Sequence, residues 1–336
     1  MEQRSRLLVV ALAASLLLLI VGLSVGPLGS GGAHGYPRSP HGRVGVYLTS
    51  HAVSVRSILD GILRACERGA LNAVVVNVKN MHGEVTFATT SARAREIGAV
   101  AERLDLGALT RRLHDLGIYV IARQVLFYDP KLADAQGRDT PWVDPTDDEV
   151  VSYNLELAAE VAAMGVDELQ FDYIRYPDED PIGDDYTSRR RAISGFLERA
   201  RRRLSGRVFL SVDVFGRVLW PWNARGIDPI GQVLEEMAPA CTVVSPMVYP
   251  SHYSEARYTQ DPYGVVRDAL RSGAGRIATS IRPFLQAFDR LIPAGMSLTE
   301  YIAQQIRAAR EWGADGYLFW DPACDYGALF EALSTH

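Results

Sequence analysis

Cysteine is scarce in this chain of 336 residues, which holds only Cys66, Cys241 and Cys324. Three thiols so far apart in the sequence argue against both a disulfide framework and a cysteine-based zinc site. A surplus of basic residues is missing too, because the formal net charge is −5 at pH 7. Without a Lys/Arg stripe that carries interleaved aromatic residues, we expect no nucleic-acid partner.

Sequence signatures of bound metals and phosphate cofactors are also absent. The first apolar run is followed by His51-Ala52-Val53 and not by a glycine-rich phosphate-binding turn. A metal-dependent hydrolase would carry a His-x-His pair here, but Thr49-Ser50-His51 supplies one histidine. The acidic stretch 178–185 shows no regular spacing of calcium ligands. We therefore predict neither a metal site nor a cofactor.

The chain begins with a long apolar run. Arg4 and Arg6 precede residues 7–23, which are almost entirely apolar. This pattern predicts a membrane-targeting helix within residues 1–26, either a cleaved signal peptide or an uncleaved anchor. The positive charge before the run predicts an exported protein, secreted or anchored on the extracytoplasmic face of the membrane. Glycine, proline and serine then predict a flexible linker over residues 27–43.

From residue 44 onwards, strand patterns alternate with helical patterns. The predicted strands are Val44–Thr49, Ala73–Asn80, Tyr119–Phe127, Glu168–Ile174, Val208–Phe215, Thr242–Tyr249, Arg276–Arg282 and Gly316–Asp321. The helical patterns between them include Val53–Arg68, Asp105–Leu116, Asp147–Met164, Ser188–Leu204, Ile230–Met237, Tyr263–Ser272 and Leu298–Trp312. Asp147 and Ser188 are the predicted N-caps of two of these helices.

Eight strands that each precede a helix, over about 290 residues, predict a TIM (β/α)8 barrel. A doubly wound open sheet is the competing α/β fold, but it would normally carry the glycine-rich turn that is missing here. We therefore predict one barrel domain over residues 44–336. Functional side chains of such barrels collect at the carboxyl ends of the strands.

Alternation along each strand identifies the side chains that we expect to face the barrel axis. On the fourth strand, Gln170 and Asp172 alternate with apolar residues. The inward set on the other strands is mostly polar: Tyr47, Thr49, Asn77, Lys79, Ser211, Asp213, Ser245, Met247, Tyr249, Ser280, Arg282 and Asp321. On the third strand, Arg123 and Gln124 compete for the inward position. Each residue alone could anchor a loop, but their convergence on one mouth predicts a functional site.

The loops predicted around this mouth are rich in aromatic residues: Trp142, Tyr153, Trp220, Trp222, Tyr253, Tyr258, Tyr263 and Trp320. Aromatic faces beside carboxylates and arginines suit sugar rings, because C–H faces stack on them while the sugar hydroxyls need directional partners. The simpler alternative is that half of these rings pack against the bases of loops, with Trp142 and Tyr153 the first candidates.

Paired carboxylates at a sugar site are typical of glycoside hydrolysis. Neighbouring strands lie ~4.8 Å apart, so Asp172 and Asp213 suit the ~5–5.5 Å separation of a retaining enzyme. We predict Asp172 as the nucleophile and Asp213 as the acid/base. Exchanged roles are an alternative, and pairing of Asp172 with Asp321 across the mouth would suit inversion. The predicted substrate-binding residues are Lys79, Arg123, Gln170, Arg175, Tyr249, His252, Arg282, Trp320 and Asp321.

Several segments resemble a bacterial family described as a putative glycosyl hydrolase domain, once a domain of unknown function and assigned to the TIM-barrel glycosidases. The similar stretches span the barrel: Gly45–Thr49, Trp142–Pro145, Tyr153-Asn154, Asp167–Pro177, Asp213–Gly216, Pro246–Tyr253 and Gly316–Asp321. The resemblance implies a glycosidase-like barrel and places Asp172 and Asp213 at motif positions. It implies no particular substrate.

Other functions use the same residues in different ways. A non-catalytic glycan-binding protein at the cell surface would keep the aromatic residues and lose only turnover. A transglycosidase would pass the glycosyl group to an acceptor other than water. A Schiff-base lyase based on Lys79 is disfavoured, because nearby carboxylates would keep the lysine charged. We predict a glycoside hydrolase whose partners are a cell-envelope or extracellular polysaccharide and, through residues 1–26, the membrane.

Overall fold

The computed structural model describes residues 38–178 and 185–334. The predicted targeting helix over residues 1–26, and most of the predicted linker, lie outside the described residues. Among the residues that are described, none of the helices is both long enough and apolar enough to cross a membrane.

Eleven strands of the described chain form one sheet. They are β1 (Arg43–Leu48), β2 (Ala73–Lys79), β3 (Val85–Phe87), β4 (Val100–Leu104), β5 (Tyr119–Val125), β6 (Glu168–Asp172), β7 (Phe209–Phe215), β8 (Val243–Met247), β9 (Ser280–Ile281), β10 (Phe284–Gln286) and β11 (Gly316–Trp320). Strands β1, β2, β5, β6, β7, β8, β9 with β10, and β11 run parallel around a ring. Pairing of β1 with both β11 and β2 closes this ring. The predicted eight-stranded parallel barrel is confirmed.

Helices surround the barrel. They are α1 (Arg56–Glu67), α2 (Ala92–Glu96), α3 (Leu106–Asp115), α4 (Pro130–Ala135), α5 (Asp148–Ala163), α6 (Tyr186–Leu204), α7 (Leu234–Met237), α8 (Ala256–Thr259), α9 (Pro262–Gly273), α10 (Leu298–Glu311) and α11 (Gly327–Ser334). All seven predicted helices are present, although α7 starts at Leu234 instead of Ile230. Asp147 caps α5 as predicted, because its carboxylate accepts a hydrogen bond from the Glu149 amide (2.8 Å). The predicted N-cap Ser188 is wrong, since it lies inside α6.

The sequence does not predict the short excursion that follows β2. There β3 pairs antiparallel with β2 through Lys79 and Val85, and β4 pairs with β3. The register of β2 against β5 shifts between Asn77, which lies opposite Arg123, and Lys79, which lies opposite Gln124. This β-bulge adds one residue to β2. The side chain of Lys79 therefore falls on the helix side of the barrel and not on the axis side.

The seventh barrel strand lies further along the chain than predicted. Instead of one strand over 276–282, the structure has β9 and then β10, separated by Arg282 and Pro283. Proline has no N–H to give to the ladder, which accounts for the interruption. The carboxyl end of this strand is therefore near Gln286, and Arg282 lies partway down the barrel.

A buried ion pair closes the amino-terminal end of the barrel. Glu168 accepts hydrogen bonds from the guanidinium of Arg282, from the Tyr119 hydroxyl (3.0 Å) and from the Ser211 hydroxyl. Arg282 also donates to the Pro40 carbonyl oxygen (3.3 Å). Neither member of the ion pair is exposed to solvent. These contacts fill one end of the barrel, and a cavity lies at the other.

Candidate active site

A cavity of about 650 Å³ opens at the carboxyl ends of the barrel strands. Its volume falls within the ~300–1,000 Å³ that is typical of small-ligand sites. Its floor carries Arg123 from β5, Asp172 from β6 and Asp213 from β7. The other lining residues are Tyr173, Arg175, Asp178, Phe215, Gly216, Arg217, Met247, Tyr249, Ser251, His252, Tyr253, Phe284, Arg290 and Trp320.

Asp172 and Asp213 lie side by side on neighbouring strands. The register of β6 against β7 pairs Gln170 with Ser211, and two residues further on it brings the two carboxylates together. Arg123 holds both, since its Nε lies 3.0 Å from Asp172 Oδ2 and 3.9 Å from Asp213 Oδ2. One guanidinium thus links the pair at the cavity floor.

The two carboxylates have different surroundings. Asp172 accepts hydrogen bonds from Arg123 Nε and Nη2 and from the amide of Tyr173, whose φ of +50° is left-handed. Asp213 Oδ1 is buried and has no hydrogen-bond partner among the described residues. Burial, followed by the negative charge of Asp172, raises the pKa of Asp213 well above its usual range. Asp213 is therefore suited to hold a proton at a higher pH than an ordinary aspartate does.

Tyr249 lies on the cavity wall near this pair. Burial raises the pKa of its hydroxyl well above the usual value, and the charges of Asp213 and Asp172 raise it further. The hydroxyl therefore keeps its proton and serves as a hydrogen-bond donor. His252 packs edge-on against the Tyr249 ring, with 5.1 Å between the ring centroids. Both residues line the cavity, as predicted.

Aromatic rings fix the arginine at the floor. The guanidinium of Arg123 lies 5.0 Å from the Trp320 ring centroid and donates to Asn77 Oδ1 (3.0 Å). Trp320 in turn stacks on Tyr47 at 3.9 Å. Of the two candidates on the third barrel strand, Arg123 faces the axis. Gln124 points outward and donates to the Asn154 carbonyl oxygen (3.0 Å).

Arg175 occupies another part of the wall. Its guanidinium carbon lies 4.6 Å from the ring centroids of both Trp142 and Phe215, and 5.2 Å from that of Tyr173. Cation–π contacts with several rings help to hold an arginine in place. The predicted binding residue Arg175 therefore lies at the cavity, while Trp142 serves as its packing partner.

Lys79 does not point into the mouth, so its expected placement is wrong. Its ammonium group lies 2.7 Å from Asp129 Oδ2 and donates to Asn154 Oδ1 (3.1 Å) and to the Val125 carbonyl oxygen (3.0 Å). The β-bulge after Asn77 is the physical reason. A period-two reading assigns Lys79 to the inward face, and the extra residue reverses that assignment.

Arg282 is also misplaced in the prediction. It pairs with Glu168 at the amino-terminal end of the barrel, because the seventh strand ends at Gln286 and not at residue 282. Gln170 faces the axis as predicted but is fully buried, and its Nε2 donates to the Ser245 hydroxyl (3.2 Å). Asp321 is absent from the cavity lining, and its Oδ1 accepts a hydrogen bond from the Ala323 amide (2.7 Å).

Most of the aromatic residues predicted to surround the mouth lie elsewhere. Tyr253 and Trp320 line the cavity. Tyr153 is buried on α5, near the ammonium of Lys79. Trp220 stacks on Tyr258 at 5.6 Å. The cavity takes its other rings from Tyr173, Phe215, Tyr249 and Phe284, which lie on barrel strands or within two residues of their ends.

Sequence reasoning missed three charged lining residues, Asp178, Arg217 and Arg290. Arg217 follows the end of β7 and donates to Asp178 Oδ2 through Nη1 (2.8 Å). Arg290 lies in the loop after β10. Arg217 could have been found from its place directly after the motif that contains Asp213. Arg290 could not have been found in this way, because the sequence predicts that the seventh strand ends at residue 282, which is too early to place Arg290 at the mouth.

The comparisons with known proteins agree with this architecture. Residues 45–326 match the family described as "Putative glycosyl hydrolase domain". No curated protein matches the chain. Among solved structures, the PgaB (BpsB) glycoside hydrolase domain from Bordetella bronchiseptica is 15% identical with a TM-score of 0.64, covering 87% of this chain and 98% of that one.

Two further solved structures are similar. The endo-1,4-beta-mannanase from Rhizomucor miehei is 10% identical with a TM-score of 0.64, covering 89% of this chain and 94% of that one. A chitinase from Chromobacterium violaceum is 15% identical with a TM-score of 0.51, covering 87% and 98%. At these identities the likeness shows the fold alone. The family match, in contrast, runs from the first barrel strand to beyond the last, and the chain belongs to this glycosyl hydrolase domain family.

Proposed function

We propose that the barrel is a retaining glycoside hydrolase that cleaves a cell-envelope or extracellular polysaccharide. The observation that carries this proposal is the carboxylate pair at the cavity floor, joined by one guanidinium and set in unlike surroundings. Asp172, bonded to Arg123, suits an ionised nucleophile. Asp213, buried with an unpartnered oxygen, suits a protonated acid.

The reaction takes two steps. Asp172 attacks the anomeric carbon while Asp213 gives its proton to the glycosidic oxygen, so the C–O bond breaks and the leaving sugar departs with a new hydroxyl. An ester then joins the remaining sugar to Asp172. The Asp213 carboxylate takes a proton from water, whose oxygen attacks the anomeric carbon and releases Asp172. The Tyr249 hydroxyl donates a hydrogen bond to the substrate beside the pair.

The short span between the carboxylates supports retention. Because both Oδ2 atoms lie near the same Arg123 Nε, at 3.0 Å and 3.9 Å, their separation cannot exceed the sum of these distances. This upper limit admits the ~5–5.5 Å separation of retaining enzymes and excludes all but the shortest part of the ~6.5–9.5 Å range used for inversion. Asp321, the partner required by an inverting alternative, does not line the cavity.

Release of reducing ends tests the proposed hydrolysis. The purified protein, Asp172→Asn and Asp213→Asn are assayed on cell-wall and exopolysaccharide preparations, with the exposed Asp139→Asn as a matched control. We expect product from the parent and the control, and a loss of ~10²-fold or more for each active-site variant. Binding that survives both changes, without product from the parent, would favour the non-catalytic glycan-binding alternative. Products with new linkages would favour a transglycosidase.

We also propose that the protein is exported and either anchored in the membrane or secreted. The proposal is supported by Arg4 and Arg6 before the apolar run 7–23. Alkaline phosphatase fused after residue 43 is active only outside the cytoplasm, so we expect activity from this fusion. Leu17→Asp with Leu18→Asp should abolish it. An inactive phosphatase in the unchanged fusion would contradict export.

A further inference from the structure

Some of the arginines around the cavity form ion pairs with carboxylates, and one does not. Arg123 bonds to Asp172, and Arg217 donates to Asp178 and, through Nη2 (2.9 Å), to Asp228. In contrast, no hydrogen bond or ion pair joins the guanidinium of Arg290 to any residue that the structure describes. This side chain nevertheless lines the cavity. The cavity wall therefore presents a positive charge, that of Arg290, which has no partner within the described chain.

The loop that carries Arg290 is anchored by a buried side chain. Gln286, at the end of β10, donates through Nε2 to the carbonyl oxygens of Phe288 (3.0 Å) and Arg290 (2.9 Å). Its Oε1 accepts hydrogen bonds from the Ser251 amide (3.2 Å) and the Tyr301 hydroxyl (3.1 Å). One glutamine thus fixes the backbone of Arg290 and the turn before His252 on the same side of the cavity.

His252, which also lines the cavity, is held by aromatic neighbours and is influenced by the charge of Arg290. His252 packs against both Tyr249 and Phe288, at 5.1 Å and 6.2 Å between ring centroids. Burial and then the positive charge of Arg290 lower the pKa of His252. The imidazole is therefore neutral near pH 7, and Arg290 is the cation of this wall. A guanidinium fork matches carboxylate and phosphate oxygens through two parallel N–H groups.

We propose that the polysaccharide is anionic and that Arg290 binds an acidic group, a carboxylate or a phosphate or sulfate ester, on a sugar near the one that is cleaved. This inference rests on the proposed function, because it names the substrate class for the same cavity. The guanidinium of Arg290 is exposed at the cavity and has no ion-pair partner among the described residues, so it can bind such a group without first breaking an ion pair there. A neutral glycan would offer no charge to this guanidinium.

Binding of oligosaccharide pairs that differ only in charge tests the inference. Calorimetry uses the purified full chain with Asp172→Asn, which blocks turnover. The probes are oligogalacturonate and its methyl ester, a sulfated oligosaccharide and its desulfated form, and phosphomannan fragments before and after dephosphorylation. The first pair reports on carboxylates, and the other two report on ester anions. Each pair is measured again with Arg290→Gln, Arg290→Lys or Arg112→Gln added.

We expect the acidic member of at least one pair to bind tenfold or more tightly than its neutral form, less so at high salt. Arg290→Gln should remove that difference, and Arg290→Lys should restore part of it. Arg112→Gln, in the last turn of α3 at the far end of the barrel, should change nothing. Equal binding of charged and neutral members in every pair, absent binding of all acidic probes, or an equal loss for both members in Arg290→Gln would overturn the inference.

The same data separate this inference from the proposed function. Arg290-dependent binding of acidic probes, with no cleavage of them by the unsubstituted protein, would support the anion site and count against hydrolysis. Cleavage of neutral glycans that does not depend on Arg290 would support hydrolysis and overturn the anion site.

Discussion

At the scale of single residues, two aspartates of the same chemistry differ in role because their surroundings differ. Arg123 donates two hydrogen bonds to Asp172, whereas Asp213 keeps one oxygen buried without a partner in the described chain. Alternation along β6 and β7 predicts that both face the barrel axis, and the structure agrees. Alternation does not predict how they differ, because the difference depends on which residue of β5 faces inward.

Asp213→Asn should stabilise the protein near neutral pH. The pKa of Asp213 is raised in the folded state, so the folded protein keeps a proton that the unfolded chain releases. The free energy of unfolding therefore falls as pH rises from the unfolded pKa of ~3.9 towards the folded one, and asparagine removes this loss. Denaturant unfolding at pH 4 and pH 7.5 measures the free energy of unfolding of the variant and of the parent. We expect the variant to be the more stable of the two by an amount that grows with pH, while the exposed Asp139→Asn leaves the free energy of unfolding unchanged at both pH values. A loss of stability at pH 7.5 would contradict the assignment.

Arg123→Met should destabilise the fold by about 3–5 kcal/mol, because it leaves the buried Asp172 carboxylate without its cation. Asp172→Asn in the same chain removes that charge. The double variant should therefore lose less than the sum of the two single variants in a double-mutant cycle of unfolding free energies. Strictly additive losses would show that Arg123 and Asp172 do not interact in this way.

At the scale of elements, two local irregularities decide which side chains reach the mouth. The β-bulge in β2 turns Lys79 towards the helices, and Pro283 divides the seventh barrel strand so that Arg282 stays below the mouth. Hydrophobic periodicity cannot predict either feature, because a bulge adds a residue without changing the apolar composition. The strands themselves could be predicted, but the register of their last residues could not.

Lys79→Met should lower stability and spare the site. The change leaves the buried Asp129 without its cation, which costs about 3–5 kcal/mol. We expect unchanged affinity of the folded protein for a glycan ligand, measured at a temperature where the variant is folded. Lys79→Met combined with Asp129→Asn should recover part of the lost stability. A large loss of glycan affinity without a loss of stability would contradict this placement and indicate that Lys79 binds substrate.

Gly216 is required where β7 enters the cavity wall. A Cβ there would lie 2.3 Å from the Tyr253 hydroxyl oxygen and 2.8 Å from the Met247 carbonyl oxygen. Gly216→Ala should therefore lower the free energy of unfolding by ~1–3 kcal/mol and weaken glycan binding as the wall shifts. Gly195→Ala, inside α6 with open space around it, is the matched control and should stabilise by ~0.5–1 kcal/mol. Equal effects of the two changes would contradict this reading of the wall.

At the scale of the whole molecule, eight repeats of strand and helix were enough to predict the barrel and the end at which the cavity lies. The lining of that cavity was less predictable. Phe284 lies on a strand that the sequence places too early, and Arg290 lies in the loop after that strand. Arg217 lies in the loop after β7, which has no periodic pattern. Side chains on regular strands could thus be assigned to the mouth, whereas those on loops required coordinates.

The roles of the two aspartates are tested most directly by changing the leaving group of the substrate. In a dinitrophenyl glycoside of the cleaved sugar, the leaving group is dinitrophenolate, which departs without a proton, whereas the natural leaving group needs one on its glycosidic oxygen. We predict that Asp213→Ala slows hydrolysis of the natural linkage by ~10²–10⁴-fold and leaves the first step on the dinitrophenyl glycoside nearly unchanged, whereas Asp172→Ala abolishes both reactions. Equal losses on the two substrates for Asp213→Ala, or turnover by Asp172→Ala, would contradict the proposed pair.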